Sequence, residues 1–256
     1  MIGIIGAGNM GKAIALRIKK KILISDTVPG RLRFKKARHI MKAADNIDLA
    51  MRSKVVIIAV KPQHIKGVLA EIRPYIKGKL VISIAAGVSS GYIEKALGRR
   101  ARVIRVMPNM PAMVDMGISA IAKGRLANKN DVVVARKIFT GLGEVVEVRE
   151  SLMDAVTGVS GSGPAYYFLF TDLLEKAGRS CGLQKSLAKR LAMATFIGAA
   201  ASASSAGISM QDFIKKVASK GGTTEAALKI FKQKGLERIV KQAVSAACRR
   251  SRSLTS

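Results

Sequence analysis

The chain has 256 residues, 49% of them apolar, enough for one large or two ordinary cores, and its longest apolar runs are strand-sized rather than membrane-spanning. The formal net charge is +29, yet aromatics make up only 4% and do not alternate with the basic runs, so a base-stacking nucleic-acid platform is poorly supported. What remains is a solvated cationic surface with non-specific attraction to polyanions and no sequence-specific nucleic-acid partner.

Two cysteines, Cys181 and Cys248, cannot build a disulfide framework, and a strand that begins at the first residues leaves no room for a signal peptide. A cytoplasmic location is the expectation. The two histidines, His39 and His64, sit in no motif, and no Cys–His or other metal-ligand cluster appears.

In chain order, the first stretch is Met1-Ile-Gly-Ile-Ile-Gly-Ala-Gly-Asn-Met-Gly11. Ile2, Ile4 and Ile5 form a short buried strand. Gly6-Ala7-Gly8-Asn9-Met10-Gly11 turns the chain, and Ala13, Ile14, Leu16 and Ile18 continue as an amphipathic helix. Strand, glycine turn and helix in that order are the context of a dinucleotide fingerprint. Gly6 makes the turn, Gly8 admits a pyrophosphate, and Gly11 lets helix and strand pack closely. The helix N-terminus adds free N–H groups and a positive dipole end.

Residues 21–26 read as a second strand ending in Asp26, placed to accept hydrogen bonds from an adenine ribose, which favours NAD. Arg31 and Arg33 follow, and a guanidinium there could hold a 2′-phosphate, which favours NADP. As a plain turn acid, Asp26 would serve neither. A polar amphipathic segment, 31–52, breaks near Asp45-Asn46. Residues 55–60 form a continuous apolar strand, as in a parallel sheet covered on both faces, and end in Lys61-Pro62, where a ligand would sit.

A helix is expected over 64–75, a strand over 80–85 ending at Ala86-Gly87, a helix over 90–97 and a strand over 102–107. Asn109, held between Pro108 and Pro111, either contacts nicotinamide or substrate or caps its own turn. Strands at 117–122 and 144–148 flank a helix at 131–139. The pattern predicts an α/β, Rossmann-like, doubly wound parallel sheet over residues 1–150. From 151 to 256 no strand is evident. A small, polar, Gly-rich stretch at 154–164 leads into helices at 165–177, 184–205, 210–219, 224–233 and 237–250. Their apolar faces point to pairing across a two-fold axis.

A second constellation, Ser219-Lys-Gly-Gly-Thr-Thr-Glu225, lies between two of these helices. Gly221 and Gly222 let N–H groups converge, and Thr223 and Thr224 open a helix in the manner of N-cap residues. Such a place suits a carboxylate, or is a plain glycine loop with a threonine cap.

With Ala59-Val-Lys-Pro62, Ser83-Ile-Ala-Ala-Gly-Val88, Met107-Pro-Asn-Met-Pro111, Ser160-Gly-Ser-Gly-Pro-Ala-Tyr166 and Ala247-Cys-Arg-Arg-Ser-Arg252, nearly the whole chain resembles the pyrroline-5-carboxylate reductase family. The resemblance implies hydride transfer from NADPH or NADH to the C=N carbon of 1-pyrroline-5-carboxylate, giving proline. It implies that residues 6–11 hold the pyrophosphate. Ala59, Val60, Lys61, Pro62 and Ala86 would line the cofactor, with Asn46 at its adenosine end. The Ser219–Thr224 loop would bind substrate, with the Gly222 and Thr223 amides on the carboxylate and the Thr224 hydroxyl on the ring nitrogen. It implies a homodimer built on C-terminal helices, with a ring of dimers as a further step.

Lys220 stands where many members carry proline, and the basicity is not a family trait. Two other readings compete. One is a 3-hydroxyacid dehydrogenase using a lysine such as Lys176, a scheme with no role for the Gly-Gly-Thr-Thr loop. The other is a non-catalytic nucleotide or polyanion binder.

Overall fold

The computed structural model describes residues 1–34, 37–98, 101–205 and 207–254; of the basic runs, Lys35, Lys36, Arg99 and Arg100 lie outside the described residues. The chain divides into two units, Met1–Ser162 with Ser245–Ser256, and Gly163–Val244.

The first unit runs β1 (Ile2–Ile5), α1 (Asn9–Arg17), β2 (Ile22–Ser25), β3 (Ile40–Lys42), α2 (Asn46–Arg52), β4 (Val55–Ile58), α3 (Ile65–Ile72), β5 (Leu80–Ser83), α4 (Ser90–Ala96), β6 (Arg102–Met107), β7 (Gly117–Lys123), α5 (Lys129–Phe139), β8 (Gly143–Glu147) and α6 (Met153–Val156). The strands form one sheet in the order β3-β2-β1-β4-β5-β6-β7-β8. Pairing is parallel from β3 through β6, with Ile4 opposite both Ile24 and Ile57. The chain order reverses between β1 and β4. A topological switch point of this kind opens a crevice at the carboxyl ends of the strands.

Period-two alternation divides the core between the two faces of the sheet. Ile4, Ile24, Ile57, Ile82 and Ile104 pack with α1 and α5 residues such as Ile14 and Phe139. Ile5, Leu23, Val56, Ile58 and Val81 pack with α2, α3 and α4 residues such as Leu49, Leu69 and Ile93. Side chains buried on both faces explain why these strands read as unbroken apolar runs. Helix starts are chemically marked: Asp45 accepts from the Asp48 N–H, Ser89 from the Tyr92 N–H, and Asn128 and Asp131 form a capping box. At the other end of α2, the Lys79 ammonium donates to the carbonyls of Ala50 and Met51.

Three features depart from the sequence reading. β3 lies inside the segment read as polar and amphipathic; its three residues are too few to display a period, and pairing of Ile22 with Ile40 defines it. β7 runs antiparallel to β6, with Val106 opposite Ile121. The connection over 108–116 is too short for a crossover helix. The Gly-rich stretch at 154–164, read as small and polar with no element assigned, is largely helical. Thr157–Gly161 form a wide π-turn closed by the Ser162 N–H on the Thr157 carbonyl, 2.8 Å. A Cβ on Gly161 would stand 2.4 Å from the terminal methyl of Met107, which would have to move aside.

The second unit is helical: α7 (Gly163–Ser180), α8 (Lys185–Ser205), α9 (Met210–Val217), α10 (Thr223–Gln233) and the first part of α11 (Leu236–Arg252). Tyr167 stacks near Phe196 with ring centroids 5.9 Å apart, and Phe170 meets Phe231 at 6.1 Å. Much apolar surface stays uncovered, including Tyr167, Leu169, Ile197, Val217 and Ile239. Exposed apolar area on this scale marks an interaction surface. Among the described residues, no helix is long and apolar enough to cross a membrane.

Candidate active site

The carboxyl ends of β1, β2, β4 and β5 converge on a cleft of about 860 Å³, lined in the first unit by Gly6, Ala7, Gly8, Asn9, Met10, Asp26, Asn46, Ala59, Val60, Lys61, Pro62 and Ala86 among others. The fingerprint glycines divide into distinct roles there. Gly6 adopts φ +102°, and a Cβ on it would lie 2.6 Å from the Ala59 carbonyl oxygen. A Cβ on Gly11 would fall 2.0 Å from the Gly6 carbonyl oxygen, so Gly11 lies beneath the turn as a packing residue. Gly8 is different: a Cβ there would meet nothing within 4 Å. The space it leaves open is in the cleft, at the first turn of α1, and no side chain caps that turn. An anion-sized space facing unused N–H groups fits a dinucleotide pyrophosphate.

Asp26 is committed elsewhere than the sequence rule suggests. One carboxylate oxygen accepts from the Ala7 N–H at 2.7 Å and the other from the Val28 N–H at 2.8 Å. Its side chain is only 5% exposed, and the Arg31 guanidinium lies 3.7 Å away. The acid braces the glycine turn against the end of β2. Arg33 is absent from the cleft, whereas Arg31, Lys12, Thr27, His64 and Glu71 line it. Lys12 lies 5.8 Å above the Phe34 ring. Lys12 follows directly on the last fingerprint glycine and was findable from that position. Glu71 carried no local signal, because its partner Asn46 is on another helix, 2.7 Å from its carboxylate.

The structure does not bring Asn109 into this cleft. Its Oδ1 accepts from the Ile118 N–H at 3.0 Å and its Nδ2 donates to the Ser160 hydroxyl at 3.4 Å. The first bond ties the β6–β7 connection to β7 and the second ties it to the π-turn.

In the second unit, the Ser219–Glu225 loop is wired differently from the threonine-cap expectation. Gly222 is the N-cap of α10, Thr223 is the first helical residue, and no cap bond from a side chain is made. Instead Glu225 reaches back to accept from the Gly221 N–H at 2.6 Å, and Gly221 takes φ +74°. The Gly222 N–H, expected on a carboxylate, donates to the Ser219 carbonyl at 3.0 Å. That leaves the Thr223 and Thr224 N–H groups, with both threonine hydroxyls, at the open first turn of α10. With Glu225 held on the Gly221 N–H, these backbone donors and hydroxyls suit a small carboxylate. Lys176, the lysine of the dehydrogenase reading, is exposed and paired with Asp172 at 2.6 Å.

Residues 150–254 match the family described as pyrroline-5-carboxylate reductase dimerisation, and residues 1–87 match one described as NADP oxidoreductase, coenzyme F420-dependent. Over 99% of its length the chain is 39% identical to a pyrroline-5-carboxylate reductase of Synechocystis, covering 97% of that protein. Two solved structures are similar throughout. A pyrroline-5-carboxylate reductase from Coxiella burnetii superposes with a TM-score of 0.90 at 33% identity, over 99% of this chain and 97% of that one. A pyrroline carboxylate reductase from Plasmodium falciparum, solved with NADP bound, gives 0.88 at 31% identity over 100% and 98%. With a switch-point cleft, a fingerprint in which two glycines are compelled by contact and the third opens onto the cleft, and relatives that match over nearly the whole chain, this chain belongs to the pyrroline-5-carboxylate reductase family.

Proposed function

We propose that the protein reduces 1-pyrroline-5-carboxylate to L-proline, the last step of proline biosynthesis, as an NAD(P)-dependent oxidoreductase acting on a C=N bond. The observation that carries the reading is the open space over Gly8 at an uncapped helix start, paired in the same chain with the Thr223–Thr224 helix start. When bound, the reduced nicotinamide supplies a hydride to the imine carbon. The chain's own part is to hold and orient. Gly8 and the first N–H groups of α1 hold the pyrophosphate. Ala59 to Pro62 and Ala86 give the cofactor small, close walls. In the substrate loop, the Thr223 and Thr224 amides take the substrate carboxylate and the Thr224 hydroxyl accepts from the protonated ring nitrogen. A protonated imine already carries its proton, so reduction needs placement more than acid–base help.

NADPH is the favoured cofactor in this reading. Lys12, Arg31 and Thr27 supply donors at the adenosine end, and the Asp26 carboxylate that would repel a 2′-phosphate is turned into the glycine loop. Asp26→Asn retains one acceptor for two N–H donors. It is expected to weaken NADH and NADPH together by about tenfold, as loss of a charged hydrogen bond does. A selective gain for NADPH would instead make Asp26 a ribose contact. The apolar faces of α7 to α11 are read as a homodimer interface, with assembly of dimers into a ring as a further proposal, and the working compartment as the cytoplasm. The reaction is tested by measuring proline formed from pyrroline-5-carboxylate in parallel with NADH and NADPH; no proline with either sinks the assignment.

A further inference from the structure

Three side chains from three elements form a hydrogen-bonded chain at one end of the cleft. The Ser25 hydroxyl at the end of β2 donates to Asn46 Oδ1 at 2.6 Å, and Asn46 Nδ2 donates to Glu71 Oε2 at 2.7 Å. Asn46 is the first residue of α2, and Glu71 belongs to α3. Ser25 is 4% exposed, and Asn46 and Glu71 both line the cleft. The chemistry of the two partners is unequal. A serine hydroxyl donates or accepts and tolerates either orientation of the Asn46 amide. A carboxylate only accepts, so it takes the NH₂ end and rejects the oxygen. Glu71 therefore decides which way the amide points.

We infer that Glu71 is a positioning residue for the cofactor: it fixes the Asn46 amide so that one N–H and one oxygen lone pair face the adenosine half in a single arrangement. The inference rests on the dinucleotide reading of the cleft but not on the reaction carried out there. A fixed amide is pre-organised, whereas one free to flip spends part of its time presenting the wrong group. Neither Asp26, turned into the glycine loop, nor the cations on α1 and beyond β2 can do this, since none of them touches Asn46 in the described bonds.

The test uses binding by calorimetry on the full-length protein, with ADP-ribose as the adenosine-bearing probe and reduced nicotinamide mononucleotide as the probe that lacks it. Glu71→Ala is expected to weaken ADP-ribose binding about five- to tenfold, the loss of one hydrogen-bond-sized contribution, and to leave the mononucleotide unchanged. Glu71→Gln keeps the reach but donates as well as accepts, so it no longer selects one orientation of the Asn46 amide and is expected to recover only part of the affinity. On an Asn46→Ala background, Glu71→Ala has nothing left to position, so its effect disappears. Additive losses in the double variant, or equal weakening of both probes, overturn the proposal. Binding that behaves as expected in a protein making no proline leaves this inference standing and removes the reaction instead.

Discussion

The molecule uses a glycine loop leading into a helix twice, and the two loops are built on different physics. In the first unit the glycines are compelled by contact: atoms of Gly6 and Ala59 stand where a Cβ of Gly11 or Gly6 would go. The loop is braced by an acid that is itself nearly buried. In the second unit a Cβ on Gly221 would meet nothing within 4 Å, and the loop is shaped by Glu225 folding back on an exposed N–H and by the positive φ of Gly221. A loop held by sterics is rigid before any ligand arrives. A loop held by two surface hydrogen bonds and backbone preference is easier to open.

The sharpest way to break that comparison is within the first loop. Gly11→Ala drives a methyl into the Gly6 carbonyl and is expected to cost about 3 kcal/mol or more, read as a large fall in Tm. If Tm is unmoved, the turn is not held by contact. Next in size, Thr224→Ala is expected to lower kcat by about one to two orders of magnitude, as loss of a reaction-centre hydrogen-bonding group does. No cap bond is lost, so Tm and cofactor affinity should hold; unaltered kinetics would remove Thr224 from the site. Gly8→Ala keeps the fold, because its Cβ has room, but occupies the pyrophosphate's place and should raise the cofactor Kd about tenfold. The contrast between Gly11 and Gly8 separates a packing glycine from a binding one. Glu225→Ala frees the Gly221 N–H at about 1 kcal/mol, so a few-fold rise in the substrate KM with little change in Tm is expected.

The smallest effect is electrostatic. Burial lowers the pKa of Lys79 below the ordinary lysine range. In the alkaline window between that lowered value and the ordinary one, the unfolded chain binds the proton more readily than the folded one. Stability contributed here therefore rises with pH. Lys79→Met should flatten that slope in a denaturant titration. The second unit offers the opposite case: Glu237 and Lys241 pair at 2.7 Å in full exposure, and Lys241→Met should leave the slope as it is.

Local residue order already marked the strand–glycine–helix start, the alternation of strands and helices, and the loop at 219–225. Each is a short pattern with its own steric or hydrogen-bonding reason. Some features left no such mark, most because their partners lie far along the chain. The three residues of β3 acquire strand character only from pairing with β2. The Gly-rich stretch before α7 shows no helical period, and its helical bonding is seen only in the fold, where the Ser162 N–H meets the Thr157 carbonyl. Asp26 reads as a ribose acid or a turn acid, and only the fold shows the Ala7 and Val28 N–H groups on it. Glu71 reads as one more surface acid until α3 brings it to Asn46.

By itself, then, the sequence determined that a parallel sheet would start at residue 2 and offer a glycine-lined helix start to an anion, because glycine spacing and apolar runs act over a few residues. Only the tertiary structure decided which glycine meets backbone and which faces open space, and which carboxylate braces the turn and which holds an amide of another helix. Those choices turn on distances between segments tens of residues apart, and a chain's order does not carry distances.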